Sequence, residues 1–194
     1  MRRRTFDAIL SAGGFVVTIV LLVAGGLLMW GYSFANNSVH DQLVAQQIYF
    51  PPKGSDALKP PDIGNYLNQY AGQQLTTGAQ AKAYADHFIK VHLNEVANGQ
   101  TYSQVSTKAR ANPTDQELQG QVQTLFRGET LRGLLLNAYA FWKIGQIALY
   151  GAIVSFAFAG VMLVLSIVGL MHLRKTAPET QLEMPGIHHK ALAT

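Results

Sequence analysis

The chain has no cysteine. That excludes disulfides, thiolate-held zinc, iron–sulfur clusters and a thiol nucleophile together. Charge is also scarce. Asp, Glu, Lys and Arg are 13% of the 194 residues, against roughly 25% in an average soluble protein. Nucleotide and hydrolase signatures are missing: there is no GxGxxG on a strand, no P-loop lysine and no GxSxG elbow. No stretch alternates in period two with β-branched residues, so no sheet is expected. No basic stripe marks a nucleic-acid surface. Neither a cofactor nor a nucleic-acid partner is expected from this sequence.

What is present is apolar sequence gathered near the two ends. From Ala8 to Val39 no residue is charged. From Ile144 to Leu173 again none is, with Lys143 and Arg174 bracketing the run. Each run exceeds the ~20 residues needed to cross hydrocarbon. The reading is an all-α membrane protein, with transmembrane helices over 8–35 and 143–173. The second run is longer than the lipid core requires, so its hydrocarbon part is placed near 150–170, with 144–149 emerging. A cleaved signal peptide is the alternative for the first run. That run is about twice the usual 7–15-residue apolar region of a signal, so an uncleaved anchor is expected.

Basic residues orient the pair. Arg2, Arg3 and Arg4 precede the first run, and Arg174 and Lys175 follow the second. The positive-inside rule puts both flanks in the cytoplasm. Residues 1–7 are then a cytoplasmic N-terminus and 174–194 a cytoplasmic tail, read as disordered from Thr176. Residues 36–142 become an extracytoplasmic bundle of short helices. Trp30, Tyr32, Tyr139, Trp142 and Tyr150 fall near the outer ends of the spans, where aromatic residues favour the headgroup layer. The expected location is the cell membrane, with lipids as partners.

The segment between the runs is punctuated. A helix capped at Asn37 or Ser38, or a continuation of the first span, should stop before Pro51-Pro52. A loop with Gly54, Pro60 and Pro61 follows. Asp62 starts a short helix carrying Ile63, Tyr66, Leu67 and Tyr70. Thr76 or Thr77 opens the strongest helix, through Ala81, Phe88 and Val96, with Gly99 as its C′ glycine. Thr101-x-x-Gln104 and Thr114-x-x-Glu117 are capping-box patterns, and Gly128 is a candidate interruption. These helices hold many glutamines and few large aliphatics. A core so thin needs support from the span ends, the bilayer or other copies.

HDQLVAQQIYFPP (40–52), YAGQQ (70–74), AYADHFIKVHLNEV (83–96) and FRGETLRGLLLNAY (126–139) resemble an uncharacterised family of two-span membrane proteins from high-GC Gram-positive (actinobacterial) bacteria. The resemblance covers both spans and the domain between them and implies their topology. Some members carry an aromatic ring-opening dioxygenase label; the resemblance supplies no site residues.

The label implies chemistry that the residues can be asked about. A non-haem iron site needs two histidines and a carboxylate on one face of the metal. His92 and Glu95 have helical spacing. His87 lies about 140° around the helix from His92, and His40 must come from another helix. The pattern fits partly exposed helix histidines better than a metal site. His188-His189 sits in the tail. Arg127 and Arg132 flank Gly128-Glu129 and suit either an anion contact or pairing with Glu129; pairing is the expectation.

The spans carry the better clue. Gly151, Ser155 and Ala159 repeat every four residues, and Gly14, Thr18 and Gly26 do something similar in the first span. Small residues at such spacing let helix backbones approach closely. They fit packing within one chain or between copies. No Asp, Glu, Lys or Arg lies in either hydrocarbon stretch, unlike the ionisable groups of a proton relay. The leading expectation is a non-enzymatic membrane scaffold or accessory subunit that joins itself, as a homo-oligomer, or a larger membrane complex. An oligomeric channel or transport component is second, and a metal-dependent enzyme third.

Overall fold

A computed structural model describes residues 3–175. Arg2 and the tail from Thr176, with its basic-flank and disorder expectations, lie outside the described residues. The described chain is all-helical, and no strand occurs within it. Helix α1 runs Arg3–Ala45, followed by the short α2 (Pro61–Leu67). Then come α3 (Gly78–Tyr84), a π-helical turn (Ala85–Ile89) and α4 (Lys90–Val96). Helix α5 spans Tyr102–Ala111 and α6 spans Gln116–Lys175.

The chain divides into two compact units. Among the described residues, one comprises 3–29 with 149–175, and the other 30–148. Neither α1 nor α6 breaks where the units divide. No turn residue therefore marks those borders, which differ by about six residues from the limits drawn at 36 and 142 from composition.

In the first unit the long helices pair as an antiparallel hairpin. Gly169 faces Ser11, Gly14 faces Ser166, and Gly151 faces Leu28. Outside that seam the surface is apolar and exposed, as at Leu10, Val16, Leu27, Val164 and Leu165.

The second unit is a helical domain with one core. Val39 and Leu43 of α1 and Leu125 and Leu135 of α6 join Phe50, Ile63, Leu67, Leu75, Ile89 and Val105. The two long helices thus supply the aliphatic residues that the glutamine-rich segment between them lacks. α1 ends without proline: Gln46 and Gln47 N–H groups donate to Leu43 and Val44 carbonyls, and Gln47 takes φ 52°. Residues 48–50 then lie antiparallel to 73–75 through Phe50 N to Gln73 O at 2.9 Å and Leu75 N to Ile48 O at 2.8 Å. This two-bond pairing is the nearest approach to a sheet among the described residues. It seats Phe50 between Tyr70 and Tyr84, with ring centroids at 5.2 and 5.4 Å.

Two capping boxes form, Thr77 with Gln80 and Thr101 with Gln104. Each satisfies amide N–H groups that the first helical turn leaves unpaired. Gly99, at φ 76°, accepts the left-handed conformation a helix stop requires, and its N–H donates to Asn94 O at 2.8 Å. Two expectations are corrected. The cap of α6 is Asp115, whose carboxylate accepts from Leu118 N at 3.0 Å, and not Thr114. Gly128 does not interrupt α6. It lies against the Leu93 side chain, where an added Cβ would collide. The glycine is a notch for a neighbouring helix.

Leu67 is fully buried. Leu67→Ala should destabilise the helical domain by ~2–4 kcal/mol, while Ser103→Ala at an exposed site should stay within ~0.5 kcal/mol. Denaturant unfolding of the purified protein, followed by near-UV circular dichroism, measures both.

Candidate functional site

The strongest structural feature of the hairpin is its seam. On α1, Ser11, Thr18 and Gly25 are buried, and on α6, Ala152, Ala159 and Ser166 are. Within each set the spacing is seven residues, the period that keeps one face of a helix turned toward a left-handed partner. Small side chains fill these positions because the backbones come close. A Cβ at Gly25 would lie 2.7 Å from the Phe156 ring, and one at Gly151 would lie 3.2 Å from Leu28.

Two buried hydroxyls of the seam are satisfied. Thr18 Oγ1 donates to Gly14 O at 2.8 Å, and Ser166 Oγ donates to Met162 O at 2.7 Å. Each hydroxyl closes on its own helix four residues back, so neither is left unpaired in an apolar setting. Near the ends of these helices Asp7 Oδ2 lies 4.0 Å from His172 Nε2.

Of the residues singled out from sequence, Gly14, Thr18, Gly151 and Ala159 are on the seam, and Ser155 is half-buried beside it. Their packing is within one chain. Gly26 is not on it: nothing lies within 4 Å of the place its Cβ would take. Its neighbour Gly25 holds that role. Ser11, Ala152, Ser166 and Gly169 also belong to the seam and escaped the sequence reading. A repeat of four drifts off the contact face, whereas a repeat of seven finds Ala152, Ala159 and Ser166.

The aromatic positions separate into two groups. Trp30 and Tyr150 are 68% and 65% exposed. Trp30 stacks on Phe34 at 5.8 Å, and Tyr32 is half-buried. Tyr139 and Trp142 are instead engaged in the helical domain. Trp142 packs on Gly78, and Lys82 Nζ sits 5.5 Å above the Tyr139 ring. Arg174 and Lys175 are exposed at the end of α6, and Arg3 and Arg4 are in the first turns of α1.

One ionic network holds α3 and the π turn to α6. Asp86 bonds Lys82, and Arg132 Nη2 reaches Asp86 Oδ1 at 3.2 Å. Arg132 Nη1 also lies 3.4 Å from Glu129, the pairing expected from sequence. Burial pushes the Asp86 carboxyl up, but the hydrogen bonds and charges of Lys82 and Arg132 outweigh it and leave it below its usual range. Burial alone raises the Tyr84 phenol.

The histidines are not assembled as ligands. His87 stacks flat on Tyr66 at 3.5 Å. His92 Nδ1 meets Phe88 O at 2.7 Å. Among the described residues no group of three or more His, Asp or Glu is placed to hold a metal ion, and His40, His87, His92 and Glu95 form none. His188-His189 is outside the described residues.

The fold and seam define an all-helical protein with two helices long and apolar enough to cross a membrane. Comparisons with family models, curated proteins and solved structures find no match.

Two predictions follow from this geometry. Gly25→Leu should drive α1 off Phe156 and lower the thermal midpoint in mild detergent, while Gly26→Leu should leave it unchanged. Asp86→Asn should cost ~1–2 kcal/mol, between exposed and fully buried pairs. Because the folded carboxyl titrates below its unfolded value, the wild-type advantage is present above about pH 4 and disappears as pH falls through the folded value. Paired acid titrations of the two proteins measure that difference.

Proposed function

We propose that the chain is an integral protein of the cell membrane, with both termini cytoplasmic and the helical domain outside. It acts there as a non-enzymatic scaffold or accessory subunit. The observation that carries the membrane reading is exposure. The most apolar windows of α1 and α6 are only 22% and 11% buried within the chain. A core helix of a soluble protein would be covered by its own fold. Here large aliphatics face outward around a seam made of small residues. Water opposes so large an apolar surface, whereas lipid accepts helices whose backbone groups are internally bonded. Arg2–Arg4, Arg174 and Lys175 support the inward placement of both flanks. The resemblance to two-span actinobacterial membrane proteins agrees with this topology.

The subunit reading is supported by the surface of the helical domain. Tyr49, Tyr66 and Phe126 are large aromatics about half exposed, and Tyr102 pairs with Phe126 at 5.9 Å. Exposed aromatics beside glutamines suit an interface with a second copy or a larger membrane complex.

The cysteine-free background makes topology directly testable. Lys53→Cys in intact cells should react with an impermeant maleimide, and Thr180→Cys should react only after permeabilisation. The reverse pattern refutes the orientation. Isolation from native membrane in mild detergent, with mass spectrometry, should return a homo-oligomer or a stoichiometric partner. A clean monomer carrying one bound iron per chain would restore the enzyme reading.

A further inference from the structure

A groove of about 410 Å³ opens within the helical domain, between α1 and α6. Leu43 and Leu135 are buried at its base, and Leu131, Leu134 and Phe141 form an exposed wall. The polar side chains that line it are amides, those of Gln42, Gln46 and Asn137; no charged residue does. Its size is within the range of small-ligand sites.

The chemistry of the lining selects the occupant. With no charge in the groove, an ionic ligand has no counter-ion there. An extended peptide segment would bring N–H and C=O groups that need partners, and three amides are too few to satisfy it. An acyl chain makes neither demand. The apolar surface also continues beyond the groove. In the same domain Phe34, Ile144 and Ile147 are 55%, 62% and 64% exposed. They stand where α1 and α6 carry their long uncharged runs. Phe141 of the groove wall packs edge-on against Phe34, with ring centroids 6.3 Å apart, so the apolar lining continues toward those runs.

We propose that this groove binds an acyl chain of a membrane lipid from the leaflet adjoining the helical domain. The rim amides hydrogen-bond the ester groups of that lipid. The assignment rests on the membrane reading above, and its test separates the two.

The full chain is reconstituted in phosphatidylcholine vesicles containing a phospholipid with a diazirine on its acyl chain. After irradiation, adducts are mapped by peptide mass spectrometry. Adducts are expected within 131–141 as well as in both apolar runs. Leu134 is 63% exposed, so Leu134→Lys leaves the core intact. It should reduce the 131–141 adducts at least about five-fold and leave the others unchanged. Adducts in the apolar runs with none in 131–141 overturn the groove proposal alone, as does a 131–141 signal that Leu134→Lys leaves unaltered. Intermolecular cross-links from photo-leucine at the groove, in place of lipid adducts, make a second copy the occupant and overturn it too. Adducts nowhere in the chain overturn the membrane reading and this proposal with it.

Discussion

Close approach of α1 and α6 is the constraint on which the hairpin depends. In lipid, helix pairing gains little from hydrophobic burial, because the surrounding chains are as apolar as leucine. What remains is van der Waals contact, and that requires backbones near each other. Ser11, Gly14, Thr18 and Gly25 on α1 and Ala152, Ala159, Ser166 and Gly169 on α6 provide the room. The Thr18 and Ser166 hydroxyls are bonded back to their own helices. The faces left outside are apolar. A hairpin built this way presents its surroundings with little except hydrocarbon.

The helical domain solves a different problem with the same two helices. The segment between Gln46 and Asp115 has few large aliphatics, and a fold of its own would be marginal. Val39, Leu43, Leu125 and Leu135 complete its core from the helices that flank it in sequence. Gly78 and Gly128 are notches that admit Trp142 and Leu93. Asp86 and Arg132 then fix the π turn to α6 across a half-buried ion pair. Functionally this gives a domain whose surface keeps aromatic residues and an uncharged groove available.

Much of this was legible in the sequence because it rests on local chemistry. The uncharged runs, the Thr77 and Thr101 caps and the Gly99 stop all follow from residues within one or two turns. What was not legible depends on partners distant in the chain. Gly128 reads as a breaker until Leu93 is opposite it. Asp115 and Thr114 both precede α6, and only the geometry of the turn selects the aspartate. In the seam, Gly25 and Gly26 are equivalent as composition, and choosing between them requires knowing which face meets Phe156. The period of four taken from Gly151, Ser155 and Ala159 found the correct side but passed over Ala152 and Ser166, which share that side at a period of seven.

The central claim is that this seam closes within one chain, in antiparallel register. Gly169 offers the most direct test, since a Cβ built there lies 3.6 Å from Ser11 Cβ, a separation that a disulfide accepts. Ser11→Cys with Gly169→Cys, in a protein that has no other cysteine, should oxidise in native membranes to a bond within the monomer. Mass spectrometry of the cross-linked peptide would identify it, and a denaturing gel would show a single-chain band. Oxidation that yields only cross-linked dimers, or no bond at all, would contradict the account.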